Sequence, residues 1–536
     1  MRLDLASIRE LTEAWLERGV ALPCYDVDQM KMHTATAPEW VHFGAGNIFR
    51  GFVGSIAQKL LNKDLLKTGI VACETFDYEI IDKIYAPYDN LVFNVIMNAD
   101  GTTSREVLSS IAEAIRADVA DCASYMRLKQ VFAAPSLKMV SFTITEKGYQ
   151  LRRTDGTLLP LVALDIKEGP SSSRHAMSVL ASLLFERFRA GALPIAVVSM
   201  DNCSHNGEKL KSAVLTIVRA WAEEGHVPHE FVEYVDNEAV VSFPWTMIDK
   251  ITPRPHSAVH EALVREGFEG LDPIVTGKGT FIAPFVNAER PEYLVVEDRF
   301  PNGKIALEAA GVYLTDRETV NKTARMKVTT CLNPLHTAMS MYGCLLGYTL
   351  ICKEMDDPDI VRLVRTLGYV EGLPVVVDPG ILSPKAFIDE VVNERLPNKF
   401  MPDDPRRIAT DTSQKVGIRF GETIKSYITQ GLDLDSLVAI PMALAGWMRY
   451  LLAVNDDGQP IEVSADPLKE ELQQKLSTVV WNDPSSYKGQ LRDIFSKAAV
   501  FGLDITSTPL FKKIEDYFIV LLEGPGAVRR LLRQIP

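Results

Sequence analysis

Three side chains that could take part in chemistry lie in a largely apolar, helix-like segment, ARMKVTTCLNPLHTAM (324–339). They belong to Lys327, Asn333 and His336. A lysine that is buried must be paired or neutralised, so Lys327 either extends its ammonium group to solvent or has the lowered pKa of a general base. The residue types suit proton transfer at a hydroxyl or carbonyl group, and both interpretations of Lys327 stay open on the sequence.

A straight helix does not bring these side chains to one face. Asn333 and His336 follow Lys327 by six and nine residues, which corresponds to rotations of roughly 240° and 180°. Pro334 offers a place for an interruption, because proline lacks a backbone donor and clashes with the preceding turn. We therefore expect a break near Pro334 that lets Asn333 and His336 face the same cleft as the lysine.

A glycine-containing turn, VHFGAGNIFRGF (41–52), follows the first β-rich run of the chain. Apolar residues at helical spacing come next, and then a second β-rich run, GIVACE (69–74), which together predict a βαβ unit with parallel strands. In that setting glycines let the backbone approach a diphosphate, and the N–H groups at the helix start bind the anion. The alternative is a tight structural turn without a ligand.

The turn contains five candidate contacts to a dinucleotide. Its third glycine is Gly51 rather than residue 49, so the spacing departs from GxGxxG. Arg50 stands where a charged donor would lie near a phosphate. The candidate cofactor-binding residues are Gly44, Gly46, Asn47, Ile48 and Arg50.

Glu74 ends the second β-rich run, where a dinucleotide-binding fold places an acid on the adenosine ribose hydroxyls. A carboxylate at this place repels a 2′-phosphate, which favours NAD over NADP as the cofactor. The alternative is that Glu74 only caps the strand in a solvent-facing loop.

Two further segments carry polar side chains where chemistry is expected. SMDNCSHNG (199–207) places Asn202 just past an apolar run, at the edge where open α/β sheets bind their ligands. FPWTMIDKITPRPH (243–256) places Asp249 and Lys250 among apolar residues and prolines. These side chains are therefore candidates for substrate contacts.

The sequence does not indicate a metal site or a disulfide framework. His256 and His260 have the i, i+4 spacing of two ligands, but no glutamate lies between them and no third ligand is evident. The seven cysteines are scattered without a CxxC pair, which predicts reduced thiols. We expect a solvated helix start at the histidines, and no metal.

Composition limits the classes of partner. The chain has 536 residues, a net charge of −13 and no Lys/Arg run beyond pairs such as Arg152-Arg153, which argues against a nucleic-acid partner. The N-terminus lacks the apolar core of a signal peptide, and the longest apolar stretch, 338–352, is too short for a membrane span. We expect a cytoplasmic protein with no membrane partner, and the oligomeric state stays open.

The secondary-structure pattern changes along the chain. Short β-rich runs alternate with amphipathic segments from about residue 40 to 300, and long helical patterns prevail from about residue 310. This predicts an α/β dinucleotide-binding domain over 1–311 and a mainly α-helical domain over 312–536. The strand candidates are 41–46, 69–74, 90–97, 138–145, 194–200 and 292–298, with a loop or hairpin at 98–106.

Five motifs in fixed order resemble those of a known family: GAGNIFRGF, TITEKGY (143–149), MDNCSHNG, FPWTMIDKITP and KVTTCLNPLHTA. Over about residues 40 to 430 the sequence is similar to the polyol-specific long-chain dehydrogenases, which include mannitol 2-dehydrogenase, fructuronate (mannonate) reductase and tagaturonate reductase. The resemblance implies an α/β N-terminal Rossmann-like dinucleotide-binding domain followed by a mainly α-helical C-terminal domain. It also implies a metal-independent, NAD(P)-linked interconversion of an alcohol and a ketone in a cleft between the two.

The resemblance assigns roles to individual residues. The family's lysine base matches Lys327, and its helper histidine matches His336. Its two asparagines that hold the oxyanion match Asn202 and Asn333. Asp249 matches the aspartate of the family's DxITP segment, which lies at the substrate.

The substrate class follows from two other stretches. FDYEIIDKIYAPYDNL (76–91) and RRIATDTSQKVGIRFGETIKSY (406–427) look more like the sugar-acid reductases than the polyol enzymes. A hexuronate needs a cation for its carboxylate. Arg395, at the family's substrate-side arginine position, and Lys250 are the candidates, and the alternative is that both are surface cations.

We therefore expect an NAD(H)-dependent enzyme that interconverts a keto-hexuronate and a hexonate, of the fructuronate-to-mannonate or tagaturonate-to-altronate type. One alternative is a polyol 2-dehydrogenase that acts on mannitol or arabinitol and on fructose or xylulose. A second alternative, from a different class, is a dinucleotide-binding regulatory protein without catalysis.

Overall fold

The computed structural model describes residues 1–153 and 155–536. Its N-terminal part contains a six-stranded parallel sheet. The chain separates into two compact units, Met1–Asn98 with Thr102–Asn321, and Ala99–Gly101 with Lys322–Pro536. The domain division between residues 311 and 312 stays a prediction.

The described strands all precede residue 316. In chain order they are β1 (Val20–Ala21), β2 (Trp40–Phe43), β3 (Ile70–Glu74), β4 (Val92–Met97), β5 (Thr103–Leu108), β6 (Ile111–Arg116), β7 (Met139–Phe142), β8 (Ile195–Ser199), β9 (Val241–Ser242), β10 (Thr246–Asp249), β11 (Ile274–Val275), β12 (Phe281–Ile282), β13 (Phe285–Glu289), β14 (Tyr293–Glu297) and β15 (Tyr313–Thr315).

The six-stranded sheet has the order β6-β3-β2-β7-β8-β9, and each neighbouring pair is parallel. The chain moves outward from β2 in one direction and then from β7 in the other, so β2 and β7 flank the topological switch point where such sheets bind ligands. Three smaller sheets have the orders β1-β5-β4-β13, β10-β14-β15 and β11-β12. This is the predicted α/β architecture.

The α-helices of the first unit surround the sheets, and α11 carries the chain into the second unit. The helices up to that point are α1 (Leu5–Glu10), α2 (Thr12–Glu17), α3 (Val27–Thr36), α4 (Gly54–Asn62), α5 (Cys122–Ala133), α6 (Pro160–Glu168), α7 (Ala176–Arg189), α8 (Asn206–Glu223), α9 (His229–Asp236), α10 (Ser257–Arg265) and α11 (Arg317–Met326).

The second unit is built from helices, as the sequence predicts. They are α12 (Asn333–Leu345), α13 (Ile351–Glu354), α14 (Pro358–Arg365), α15 (Pro384–Glu390), α16 (Pro405–Ile408), α17 (Glu422–Gln430), α18 (Ala439–Tyr450), α19 (Lys469–Lys475), α20 (Leu491–Phe495), α21 (Ala498–Phe501), α22 (Leu510–Leu521) and α23 (Ala527–Leu532). None of the helices in the described part of the chain has the length and apolar character needed to cross a membrane.

The central strands are buried on both faces, which explains their continuous apolar sequences. In β2, Trp40 packs into one hydrophobic core, and Val41 and Phe43 pack into the other. Successive side chains of a strand point to opposite faces, so the two cores lie on the two sides of the sheet. Helices cover both sides, as a parallel sheet requires.

All six predicted strand segments contain strands, but two of them belong to smaller sheets. The segment 90–97 contributes β4 to the sheet with β5 and β13, and 292–298 contributes β14 to the sheet with β10 and β15. The main sheet takes β6 instead, whose sequence IAEAIR mixes charged and apolar residues and lacks the apolar run that marks a central strand. The segment 98–106 contains the turn of the β4–β5 hairpin.

His42 is a buried polar residue of β2 whose two ring nitrogens both have partners. The His42 ring, fully buried, contacts Ser141 Oγ through Nδ1 at 2.6 Å and Thr143 Oγ1 through Nε2 at 2.8 Å. It also stacks on Phe49 with ring centroids 4.2 Å apart. Burial lowers the pKa of His42 to about 3, so the ring stays neutral in the folded protein.

We expect His42 to make the protein acid-sensitive. An unfolded histidine binds a proton below about pH 6.5, whereas folded His42 resists protonation down to a pKa of about 3. The stabilisation is complete above pH 6.5 and falls by up to about 1.4 kcal/mol per pH unit as the pH drops through this window. Urea unfolding at pH 7.5 and 5.0 should show this loss in the wild type and a smaller loss in His42→Gln. The exposed control His33→Gln should behave like the wild type, and equal losses in all three proteins would contradict the assignment.

Candidate active site

The glycine turn between β2 and the following helix contains one glycine that cannot be replaced without a steric clash. Gly44 has φ 102°, and a Cβ there would lie 2.2 Å from the Thr143 carbonyl oxygen. Its N–H donates to the Cys73 carbonyl at 2.8 Å. The backbone of Gly44 is thus held between the ends of β3 and β7, and a side chain at this position would force the strands apart.

The other two glycines have different surroundings. No heavy atom in the described part of the chain lies within 4 Å of a Cβ built on Gly46, and the helical conformation begins at residue 47. A Cβ on Gly51 would lie 2.8 Å from Val286 Cγ1, so Gly51 permits close packing of the helix on β13. Open backbone at a helix start beside the switch point fits the phosphates of a dinucleotide, and the third glycine serves helix packing.

Asn47 and Arg50 turn inward beneath this loop. Arg50 is 0% exposed and donates to the Ala283 carbonyl at 2.8 Å and to Asn47 Oδ1 at 2.7 Å. The Asn47 amide in turn donates to the Pro253 carbonyl at 3.2 Å. In this structure the Arg50 guanidinium ties the loop to Ala283, and a contact of Arg50 with a phosphate stays a prediction.

Glu74 is almost completely buried, and its carboxylate accepts hydrogen bonds from two loops. Its Oε2 accepts from Ala45 N–H at 3.0 Å, and its Oε1 accepts from the N–H groups of Thr75, Phe76 and Asp77 at 3.0, 2.9 and 3.3 Å. The carboxylate is 7% exposed, so Glu74 does not lie in a solvent-facing loop. The acid predicted from the sequence therefore also fixes the glycine turn.

A cavity of about 240 Å³ in the first unit joins residues from four segments. It brings together three predicted site residues, Ile48, Asn202 and Lys250, and Asn202 is exposed to it. Asp249 ends β10 directly before Lys250 and is 6% exposed. The cavity is lined by Ile48, Thr145, Glu146, Met200, Asp201, Asn202, Ile248 and Lys250.

Lys250 belongs to a partly buried ionic group that the sequence does not reveal. Its side chain is 2% exposed, and its ammonium contacts Glu292 at 2.9 Å. Lys59 contacts the other oxygen of Glu292 at 2.5 Å. Burial opposes ionisation of Glu292, but the two lysines hold the pKa of its carboxyl below the ordinary value. The group carries two cations and one anion, and Lys250 is not a surface cation.

In the second unit, Lys327 begins a π-helical turn, Lys327–Cys331, and is 3% exposed. This excludes an ammonium group that extends freely into solvent. The turn ends at Leu332, which has φ −132° and ψ −62°, and α12 then begins at Asn333 with Pro334 in its first turn. The expected break near Pro334 is therefore present, because proline can start a helix but cannot continue the preceding turn.

His336, in the first turn of α12, has an acidic partner. Its Nε2 lies 3.2 Å from Asp403 Oδ2, and Arg407 forms an ion pair with the same carboxylate. Burial raises the pKa of Asp403, but the contacts from His336 and Arg407 bring it below its ordinary value. The contact places an acid beside one nitrogen of the ring, although Nε2 makes no hydrogen bond of good geometry with it. Sequence reasoning missed Asp403, whose signal is only the MPDDP turn before α16.

The remaining predicted residue and the two histidines lie elsewhere. Arg395 ends the π-helical turn Val391–Arg395 of the second unit and is 5% exposed, so it is not a surface cation either. His256 caps α10, where its Nδ1 accepts from Ala258 N–H at 3.2 Å. His260 Nε2 lies 3.2 Å from Asp272. Each histidine has its own structural contact.

Comparison with known proteins identifies the family. Residues 38–308 match the profile described as the mannitol dehydrogenase Rossmann domain, and residues 319–516 match the mannitol dehydrogenase C-terminal domain. The chain is 48% identical to the D-mannonate oxidoreductase of Thermotoga maritima, over 100% of this chain and 99% of that protein. These matches confirm the resemblance noted in the sequence.

Two solved structures share the fold. The substrate-free D-sorbitol dehydrogenase aligns with a TM-score of 0.79 at 23% identity, covering 97% of this chain and 98% of its own. The Pseudomonas fluorescens mannitol 2-dehydrogenase, in a ternary complex with NAD and D-mannitol, aligns with a TM-score of 0.70 at 24% identity, covering 99% of both chains. The predicted order of a Rossmann-type domain followed by a helical domain is confirmed.

The hydrogen bonds that Glu74 accepts lead to a prediction for the stability of the protein without cofactor. Glu74→Ala leaves four backbone N–H groups without their acceptor, and each such loss costs about 1–3 kcal/mol where the group stays buried. We expect a lower melting temperature of the apo protein together with weaker discrimination between NADH and NADPH. The control Glu79→Ala, which removes a more exposed acid that accepts from one backbone N–H, that of Gly277, should have a smaller effect. An unchanged apo melting temperature would leave Glu74 with a ribose contact only.

Proposed function

Because the chain belongs to the mannitol dehydrogenase family, we propose that it is an NAD(H)-dependent oxidoreductase that interconverts a keto-hexuronate and a hexonate. One observation supports the substrate class. Over its whole length the chain is 48% identical to a protein named D-mannonate oxidoreductase. The sequence stretches that look like sugar-acid reductases support the same class. The reaction is the reduction of a ketone to a secondary alcohol and its reverse.

The residues proposed to hold the cofactor are those of the glycine turn and the end of β3. Gly44 and Gly46 give the phosphates access to the backbone, and Ile48 lines the adjoining cavity. Asn47 and Arg50 act indirectly by fixing the turn. Oε2 of Glu74, which within the described residues accepts only the Ala45 N–H, is proposed to accept from a ribose hydroxyl as well. When bound, NADH supplies the hydride to the carbonyl carbon of the substrate.

Proton transfer is assigned to Lys327. As negative charge develops on the carbonyl oxygen, the protonated amine delivers a proton to it, and in the reverse direction the neutral amine removes the proton from the hydroxyl group. Asn202 and Asn333 donate hydrogen bonds to the same oxygen, a contribution of about 3 kcal/mol for each such donor. His336, whose ring lies 3.2 Å from Asp403, is proposed to hold the substrate hydroxyl or the lysine in place.

The substrate carboxylate needs a positive field. Arg395 and Lys250 are proposed to supply it, and Asp249 is proposed to accept from a substrate hydroxyl. Lys250 is already paired with Glu292, but Lys59 on the same acid leaves the group with a net positive charge. The partner is thus a small sugar acid, and the expected cytoplasmic location without nucleic-acid or membrane partners stays a prediction.

A substrate panel tests the proposed class directly. We expect NADH oxidation with fructuronate or tagaturonate, and a kcat/KM for these acids at least tenfold above that for fructose. A site that supplies a positive field for a carboxylate loses this attraction when it binds a neutral sugar, which typically costs a factor of ten or more. Activity with fructose alone would assign the chain to the polyol dehydrogenases, and NADH binding without any turnover would assign it to a regulatory class.

The role of Lys327 is tested by Lys327→Ala. Loss of a general acid lowers kcat by about 10²- to 10⁴-fold, and we expect the Kd for NADH, measured by fluorescence, to remain near the wild-type value. The control Lys353→Ala removes an exposed lysine of the same unit and should keep the wild-type kcat. A kcat that survives in Lys327→Ala would remove this lysine from the mechanism.

A further inference from the structure

Thr145, in the loop after β7, has a backbone conformation that a β-branched residue rarely adopts. Its φ is 66° and its ψ is 160°. For L-residues with a branched Cβ this region is strained, and glycine is the residue that usually occupies it. Thr145 is exposed and lies in the wall of the 240 Å³ cavity together with Asn202. Strain of this kind persists only where surrounding contacts hold it.

The contact that holds Thr145 comes from the neighbouring loop. Asp201 Oδ1 accepts from Thr145 N–H at 2.8 Å, and Asp201 Oδ2 accepts from Ile144 N–H at 3.0 Å. Asp201 directly precedes Asn202 and is 8% exposed. One carboxylate therefore fixes the backbone of the loop after β7 and the start of the loop after β8.

The Asp201 carboxylate is itself oriented by a buried tyrosine. Tyr149 ends the 3₁₀ turn Glu146–Tyr149 that follows Thr145, and its hydroxyl donates to Asp201 Oδ2 at 2.5 Å. The same hydroxyl lies 2.8 Å from Ser199 Oγ at the end of β8. The chain thus leaves Thr145, turns back and contacts the acid that holds Thr145. Asp201 accepts three hydrogen bonds from this loop.

We propose that Asp201 is a positioning residue, which holds Thr145 in a strained conformation and so fixes the cavity wall beside Asn202. The loops after β7 and β8 lie at the carboxyl edge of the sheet next to the switch point, where such folds bind their ligands. A shift of this wall would misalign the donor Asn202 with the carbonyl oxygen. The inference rests on the proposed function in that Asn202 serves the reaction.

A double-mutant cycle tests the link between Asp201 and Thr145. Asp201→Asn replaces one acceptor oxygen by an NH₂ group, and Thr145→Gly makes the observed backbone conformation readily accessible. We expect Asp201→Asn to lower kcat roughly 10- to 100-fold, with a smaller change in the KM for NADH, because misplacement affects the reaction more than binding. In the Thr145→Gly background the same substitution should cost at least about threefold less, as for contacting residues that are coupled.

The melting temperature of the apo protein gives a readout that needs no substrate. The loss caused by Asp201→Asn should be smaller in the Thr145→Gly background, since glycine no longer requires the acid to hold the conformation. The control Asp236→Asn, an exposed acid at the end of α9 in the same unit, should be additive with Thr145→Gly in both kcat and melting temperature. Additive behaviour of Asp201→Asn in both readouts would overturn the proposal.

Two further measurements apply if Asp201→Asn does not fold or if the wild type is inactive with the sugar acids. If Asp201→Asn does not fold, Tyr149→Phe removes only the hydroxyl donor, and its smaller effects should again shrink in the Thr145→Gly background; equal effects in both backgrounds overturn the proposal. If the wild type oxidises NADH with none of the sugar acids, the proposed substrate class fails. The melting-temperature cycle then decides separately, with coupling supporting the link between Asp201 and Thr145 and additivity overturning it.

Discussion

The loops at the carboxyl edge of the parallel sheet contain backbone N–H groups that lie outside the sheet's own hydrogen-bond ladder, so these groups need other acceptors. Two buried carboxylates accept hydrogen bonds from N–H groups of this kind in the loops that border the candidate site. Glu74 accepts from the glycine turn and from the turn after β3, and Asp201 accepts from the loop after β7. An unpaired buried N–H costs free energy comparable to a lost hydrogen bond, so these acids determine where the loops can lie. The geometry of the cavity depends on them.

The second unit meets the same requirement at a helix start. Glu371 accepts from the N–H groups of Val438, Ala439 and Ile440 at 2.5, 2.6 and 2.9 Å, which satisfies the first turn of the buried helix α18. Near Lys327 the chain uses a different device, a π-helical turn that ends in a break before α12. π-Helical turns appear frequently at functional sites. Each unit is therefore organised locally around its own candidate residues.

The sequence predicts the elements of this fold well because the buried parallel strands leave apolar runs and the glycine turn has a recognisable composition. It predicts Lys327, Asn333 and the break at Pro334 for the same reason, since polar residues and a proline stand out in an apolar segment. It does not predict the direction of Arg50, because a cation beside a glycine turn has the same sequence whether it faces a phosphate or the protein interior. Glu292 and Asp403 are missed because their partners are distant in sequence, 42 and 67 residues away.

The hydrogen bonds that hold Glu74 also affect how the proposed enzyme discriminates between NAD and NADP. A flexible carboxylate can rotate away from a 2′-phosphate and so weaken the repulsion. Glu74 is held by four backbone N–H groups and is nearly buried, so its position is fixed by the same bonds that fix the glycine turn. Rejection of a ligand is strongest when the repulsive group cannot move and the surrounding dielectric is low. An acid that serves the fold is thus a better discriminator than one that contacts only the ribose, because moving it would also disrupt the glycine turn.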